Sequence, residues 1–170
     1  MKTLIAVALT LLLCACAAYD GRGLLPGTDR LDDVLRVMGQ PAQRWQDADG
    51  TVQLAYPRGP MGYHTYMVHL AANGKLQRIE NVLDEHFFAK IQPGMTMQQV
   101  VRLLGPAQPG WSTYFARRDE LVWEWRYCDA ASNPARFDVL FDQTRGTVRS
   151  TMAMTEEQRG LCDQNCTCGR

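Results

Sequence analysis

Two rhythms of apolar residues run along this chain. At Leu31, Val34, Leu35 and Met38 the apolar positions fall three and four residues apart, which is one face of a helix at 3.6 residues per turn. The same spacing returns 66 residues on, at Met97, Val100, Val101 and Leu104. Gly39 and Gly105 follow these runs where a helix cap residue belongs, and Pro41 and Pro106 forbid continuation. Thr96 and Gln99 have capping-box spacing, and Asp29 or Thr28 is placed to start the first helix. Downstream of each run the rhythm changes to two. Val52, Leu54 and Tyr56 alternate with Thr51, Gln53 and Ala55, and Tyr66, Val68 and Leu70 alternate likewise. After the second run, Leu121, Trp123, Trp125 and Tyr127 take one parity, then Phe137, Val139 and Phe141, then a strand from Val148 to Met154. Asp49-Gly50 and Asn73-Gly74 are hairpin-turn signals, and Arg145-Gly146 makes a further turn.

The pattern reads as one unit written twice: Pro26-Gly27, a helix, Pro41-Ala42 and Trp45, then Pro93-Gly94, a helix, Pro106-Ala107 and Trp111. Trp45 and Trp111 are expected to open a meander of about four antiparallel strands in each copy. A further short helix is expected at Asp84 to Lys90, with an echo starting at Thr155-Glu156-Glu157-Gln158. The expected fold class is α+β, a tandem repeat of a helix or helix pair plus an antiparallel β-meander, with helices covering one face of each sheet. Alternation implies one covered and one wet face per sheet. The wet parity holds Gln53, Ala55, Met67 and His69 in the first copy and Val122, Glu124, Arg126 and Asp138 in the second. Gln53, His69, Glu124 and Arg126 are the candidate partner face, where charge pairs tune orientation and association rate more than affinity.

The N-terminus changes the picture. Lys2 precedes an apolar run from Leu4 to Leu13, too short to span a bilayer and right for a signal peptide. The run ends in Leu13-Cys14-Ala15-Cys16, which resembles a bacterial lipobox with Cys16 as the acylated residue. Ala17 in place of aspartate then directs the chain to the outer membrane by the usual lipoprotein sorting rule. The expected divisions are a signal peptide at 1–15, a lipidated linker at 16–23, a first unit at 24–83, a second at 84–158 and a Cys-bearing tail at 159–170. With 18 basic and 18 acidic residues the chain has no net charge, which argues against a nucleic-acid partner. Of six cysteines, Cys14 leaves with the signal and Cys16 carries lipid, so Cys128, Cys162, Cys166 and Cys168 remain as disulfide candidates. Cys128 bonded to one tail cysteine is the favoured arrangement, and Cys166 with Cys168 the least favourable because the ring would be strained.

The segment Ile91-Gln92-Pro93-Gly94-Met95-Thr96-Met97-Gln98-Gln99-Val100, continuing to Leu104-Gly105-Pro106, resembles the SmpA/OmlA/BamE-like family of outer-membrane lipoproteins. Gly94, Met95, Thr96, Gln99, Val100, Gly105 and Pro106 carry the resemblance as a structural motif, and Trp123, Trp125 and Tyr127 match the family's aromatic strand loosely. The second copy lacks the residue between Gly and Pro in the family's Leu-Gly-x-Pro, which Met38-Gly39-Gln40-Pro41 retains; the first copy has Gly27-Thr28-Asp29 for Gly-Met-Thr. The resemblance implies helices on a curved antiparallel sheet, as in the secreted β-lactamase inhibitory proteins, where two such units stand in tandem. It also implies an outer-membrane anchor, a periplasmic or outer-membrane protein partner such as the barrel-assembly machinery, and a role in envelope assembly.

Candidate chemistry is sparse. There is no Gly-rich phosphate loop, no HExxH and no Gly-x-Ser-x-Gly. His64, His69 and His86 lack metal spacing, and His86 beside Asp84 and Glu85 reads as a helix-surface residue. Asp119-Glu120 reads as solvated charge, and the tail cysteines match no common zinc pattern. The expectation is a non-enzymatic interaction module without metal or cofactor. Two alternatives stand beside it: an inhibitor-like protein binding a periplasmic hydrolase through its sheet, and an envelope protein contacting peptidoglycan or lipid.

Overall fold

The structure, a computed structural model, describes residues 20–163 and 166–169. The signal segment and Cys16 lie outside the described residues. Helix α1 (Leu31–Met38) is followed by strands β1 (Gln43–Gln46), β2 (Val52–Pro57), β3 (Thr65–Leu70) and β4 (Leu76–Asn81). Helices α2 (Glu85–Phe88) and α3 (Met97–Leu104) come next. Strands β5 (Thr113–Phe115), β6 (Glu120–Cys128), β7 (Pro134–Asp142) and β8 (Thr147–Thr155) complete the order, with short 3₁₀ turns at Pro109–Trp111 and Ala116–Arg118. The strands form two four-stranded sheets, β1-β2-β3-β4 and β5-β6-β7-β8, every pair antiparallel. No helix among the described residues is long and apolar enough to cross a membrane.

Local chemistry accounts for the helix ends. The Thr96 hydroxyl accepts from the Gln99 N–H at 3.2 Å while the Gln99 side chain accepts from the Thr96 N–H at 2.8 Å, closing the capping box. The first helix starts one residue later than expected, after Arg30, whose N–H donates to Asp33. Asp29 does not cap it because its carboxylate accepts from the Leu25 N–H at 2.7 Å. At the other ends, the Gly39 carbonyl accepts from the Tyr56 hydroxyl at 3.1 Å, and the Gly105 carbonyl accepts from the Trp125 ring N–H at 3.2 Å. An aromatic residue of a long strand thus holds the exit of each helix.

Two apolar clusters result. The smaller joins Val34 and Met38 of α1 to Leu54, Tyr56, Val68, Leu70 and Leu76 on one face of the first sheet. The larger takes the opposite face of that sheet, through Ala55 and Met67, and packs it against Val100 and Leu104 of α3. Those same helix residues meet Trp125, Tyr127, Phe137, Val139 and Phe141 of the second sheet. Phe88 of α2 stacks on Phe137 with ring centroids 3.9 Å apart. One face of helix α3, through Val100 and Leu104, is therefore packed against both sheets, while Gln98 and Gln99 stay exposed.

This architecture corrects the expected fold class. The protein is mostly β, with two four-stranded antiparallel sheets and few helices; it is not a tandem of helix pairs laid over meanders. The helices of four to eight residues are too short to cover sheets whose longest strands run to nine. The Thr155 signal makes only turns: Thr155 and Gln158 exchange cap hydrogen bonds at 2.9 and 3.1 Å, but the chain bends at Gly160 with positive φ before a helix forms. Trp111 sits in a 3₁₀ turn and opens no strand. The expectation of a wet face on each sheet holds only in part. Ala55 and Met67 are fully buried against α3, and Glu124, Arg126 and Asp138 are covered by the segment after β8, while Arg78 on the first face and Ser150 and Met152 on the second stay exposed.

Candidate functional site

The residues expected to share one partner face are divided between two places. Glu124 and Arg126 enter an ionic network on the second sheet, while Gln53 and His69 line a cleft of 390 Å³ between the first sheet and the two later helices.

The sheet register builds the cleft. Gln53 on β2 pairs with His69 on β3, and His69 pairs with Arg78 on β4; in the next row Ala55 pairs with Met67 and Met67 with Glu80. All six side chains share a face because cross-strand partners do. The Gln53 amide donates to the Arg102 carbonyl at 2.8 Å, which ties the end of α3 to the sheet. Glu80 gathers two donors on one oxygen, Nε2 of His69 and Nε of Arg78, each at 2.9 Å. Burial pushes the His69 pKa below the usual imidazole value, the Arg78 guanidinium adds to that, and Glu80 pulls against it. Beyond the sheet, α2 contributes His86 and Phe87 with Lys90 just past it, and α3 contributes Arg102 and Leu103.

The floor of the cleft is apolar, from Met67, Val82, Phe87 and Leu103, and its rim is basic. Arg78, Lys90 and Arg102 outnumber Glu80. Arg102 also reaches Asp47 at 2.6 Å. The Lys90 ammonium stands 4.0 Å over the Phe87 ring and has no carboxylate partner among the described residues. A volume in the range of small-ligand pockets, an apolar floor and convergent cations suit a ligand with an acidic group next to an apolar one. Sequence reasoning missed Arg78, Glu80, Lys90 and Arg102, which come from three segments that only the packing of α3 on the sheet brings together. The one legible signal was the alternation of Arg78 and Glu80 beside the His69 strand.

The second place is the network on the back of the second sheet. Glu156 accepts from Arg126 through both oxygens at 2.7 Å and from Arg136 at 2.6 Å. Glu124 accepts from Arg136 at 2.5 Å and from Arg159 at 2.6 Å, and Arg159 also pairs with Asp138. Three cations meet three anions, nearly all out of solvent. Arg136 lies 3.9 Å over the Trp111 ring and Arg126 4.3 Å over Tyr63. The Arg126 guanidinium also donates to the Met61 carbonyl at 3.0 Å, so the network clips the β2–β3 loop onto the second sheet. The adjoining cavity of 20 Å³ has room for about one water. Glu124 and Arg126 are thus spent on structure.

The motif residues are structural in placement. Gly94, with positive φ, donates its N–H to the Val148 carbonyl at 2.8 Å, and the Met95 carbonyl accepts from the Val148 N–H at 2.8 Å. These bonds lay the entrance of α3 along β8. Val100 is fully buried, and Pro106 follows Gly105 into the seam beside β6. Cys128 at the end of β6 is bonded to Cys168, and Cys162 to Cys166, so each of the four candidates has a partner. Among the described residues no group of His, Cys, Asp or Glu is placed to hold a metal ion.

No family model matches the chain, and no curated protein matches it. Among solved structures the chain is similar to an extracellular protein containing a SCP domain from Bacillus anthracis str. Ames, at 12% identity and a TM-score of 0.28. That similarity covers 79% of this chain and 45% of the other, so the chain spans less than half of that protein's length. A likeness at this level carries no statement about fold or function.

Proposed function

We propose that this chain is an outer-membrane-anchored periplasmic lipoprotein acting as a non-enzymatic protein-interaction module, in outer-membrane or β-barrel protein assembly or in envelope integrity. The observation that carries the reading is the distribution of its cysteines. Cys128, Cys162, Cys166 and Cys168 are bonded in pairs, as suits an oxidising compartment, while Cys16 stands directly after a lipobox-like Leu13-Cys14-Ala15. Acylation there holds the body close to the bilayer. Gly21 is already buried, with Ile79 and Met38 against it, so four residues separate it from Cys16, a reach of about 18 Å when extended. The partner would dock on the body while lipid fixes it at the surface, and the resemblance of the 91–106 segment points toward the barrel-assembly machinery.

Labelling with radioactive palmitate tests the anchor: the full chain takes up label and Cys16→Ala does not, and undiminished labelling of that variant overturns it. Co-isolation with the lipidated chain tests the partner. Recovery of barrel-assembly subunits supports the assembly role, and their repeated absence removes it.

A further inference from the structure

We infer that the cleft between the first sheet and helices α2 and α3 receives an acidic segment of a partner protein, its carboxylate on Arg78 and Lys90 and a neighbouring apolar side chain on the floor. The inference rests on the protein-interaction reading and deepens it by naming the surface and the chemistry of the partner.

Charge complementarity is the first ground. The rim holds three permanent cations, of which Arg102 is paired with Asp47 and Arg78 shares Glu80 with His69. Lys90 has only the Phe87 ring beneath it, so its charge is uncompensated among the described residues. Arg78 spends only Nε on Glu80 and is 54% exposed, leaving the terminal face of its guanidinium for a second carboxylate. An arginine that can present two parallel donors, and a lysine that acts as a point charge beside it, fit a carboxylate.

Shape is the second ground. At 390 Å³ the cleft has space for one or two side chains, not for an element of secondary structure. The floor beside the cations is apolar, and Phe87 and Leu103 are only partly buried there, so a bare inorganic anion would leave their exposed area uncovered. A carboxylate side chain two residues from an aliphatic or aromatic one in an extended peptide shares a face with it and satisfies both halves. The rim also has rigid support. The Gln53 bond to the Arg102 carbonyl holds α3 to the sheet, and the Arg102 guanidinium is fixed by Asp47 and lies 5.2 Å from the Trp45 ring. The site is therefore formed before a ligand arrives, which reduces the ordering cost of binding.

The test uses the purified full chain and a fluorescent peptide of repeating Glu-Ser-Leu-Ser, which puts glutamate and leucine on one face when extended, with a twin in which glutamine replaces glutamate. Phosphatidylglycerol vesicles are the third probe. Anisotropy titration should show binding of the glutamate peptide, at least about tenfold weaker binding of the twin, and similar losses in Lys90→Glu and Arg78→Glu. Lys90→Gln should lose part of the affinity, and Arg44→Glu on exposed β1 should lose none; a thermal melt for each variant confirms folding. Equal affinity for the two peptides, or wild-type affinity in Lys90→Glu, overturns the inference. Lys90-dependent binding of the vesicles with no peptide binding also overturns it, in favour of a lipid headgroup. Failure here leaves palmitate labelling and co-isolation untouched, whereas failure of those two with charge-dependent peptide binding intact removes the anchored-assembly reading and keeps the cleft.

Discussion

Replacing Glu156 by alanine is the sharpest test of how this body is held together. The side chain is 5% exposed and is shared by Arg126 and Arg136, which are 15% and 12% exposed. Its removal leaves two guanidiniums in a poorly hydrated place without their common anion. Removing one partner of a buried pair costs about 3–5 kcal/mol, because the remaining charge keeps its desolvation penalty. Here Arg136 keeps Glu124 and the Trp111 face, and Arg126 keeps the Met61 carbonyl and Tyr63, so about 3 kcal/mol is expected, at the low end. The matched control is Arg22→Ala, whose pair with Asp20 is 87% and 38% exposed and should cost less than about 0.5 kcal/mol. Urea denaturation of both variants in oxidising buffer reads the difference: with a slope of about 2 kcal/mol per molar, the Glu156→Ala midpoint falls by about 1.5 M. A loss under about 1 kcal/mol at unchanged slope, or one equal to the control, would refute the claim that this network carries buried, mutually compensating charge.

Four further outcomes follow from the same structure. Burial pushes Glu156 up, but hydrogen bonds from Arg126 and Arg136 outweigh it and hold its pKa below the usual carboxylate value, so its contribution is present at neutral pH and lost as pH falls through that lowered pKa. Asp138 is the reverse: burial raises its pKa against the pull of Arg159, so its contribution is present at low pH and lost as pH rises through the raised value. Asp138→Asn should therefore flatten the milder-acid part of a stability–pH curve and leave the steeper acid loss. Gly39→Ala and Gly105→Ala impose similar strain, at φ 79° and 75° with extended ψ, a region open essentially to glycine alone, worth about 1–3 kcal/mol. At Gly105 the added carbon also meets Thr65 Cγ2 at 2.7 Å while at Gly39 it meets nothing, so thermal melts should rank Gly105→Ala clearly lower. Cys168→Ser opens a bridge spanning 40 residues and should cost about 4 kcal/mol by the chain-entropy relation, against about 2 for Cys166→Ser, read by denaturation without reductant.

The sequence by itself determined the local features. The three-four spacing gave α1 and α3, and the Thr96–Gln99 spacing gave its capping box, because both depend on residues within one or two turns. Alternation located most of the strands and chose the core parity of Leu54, Tyr56, Trp125 and Tyr127, since a strand must bury one side first. Cys128 was legible as the partner of a tail cysteine, but which tail cysteine was not. Tertiary structure decided everything that depends on two distant segments meeting. Only the packing of α3 on the back of the first sheet shows that Ala55 and Met67 are core residues; their polar neighbours Gln53 and His69 had marked that face as wet. Only the return of the chain after β8 turns Glu124 and Arg126 from an apparent docking surface into a closed ionic network. The cleft is hidden for the same reason: Arg78, Lys90 and Arg102 carry no mutual spacing rule, and the buried seam that gathers them depends on which face of α3 the first sheet covers.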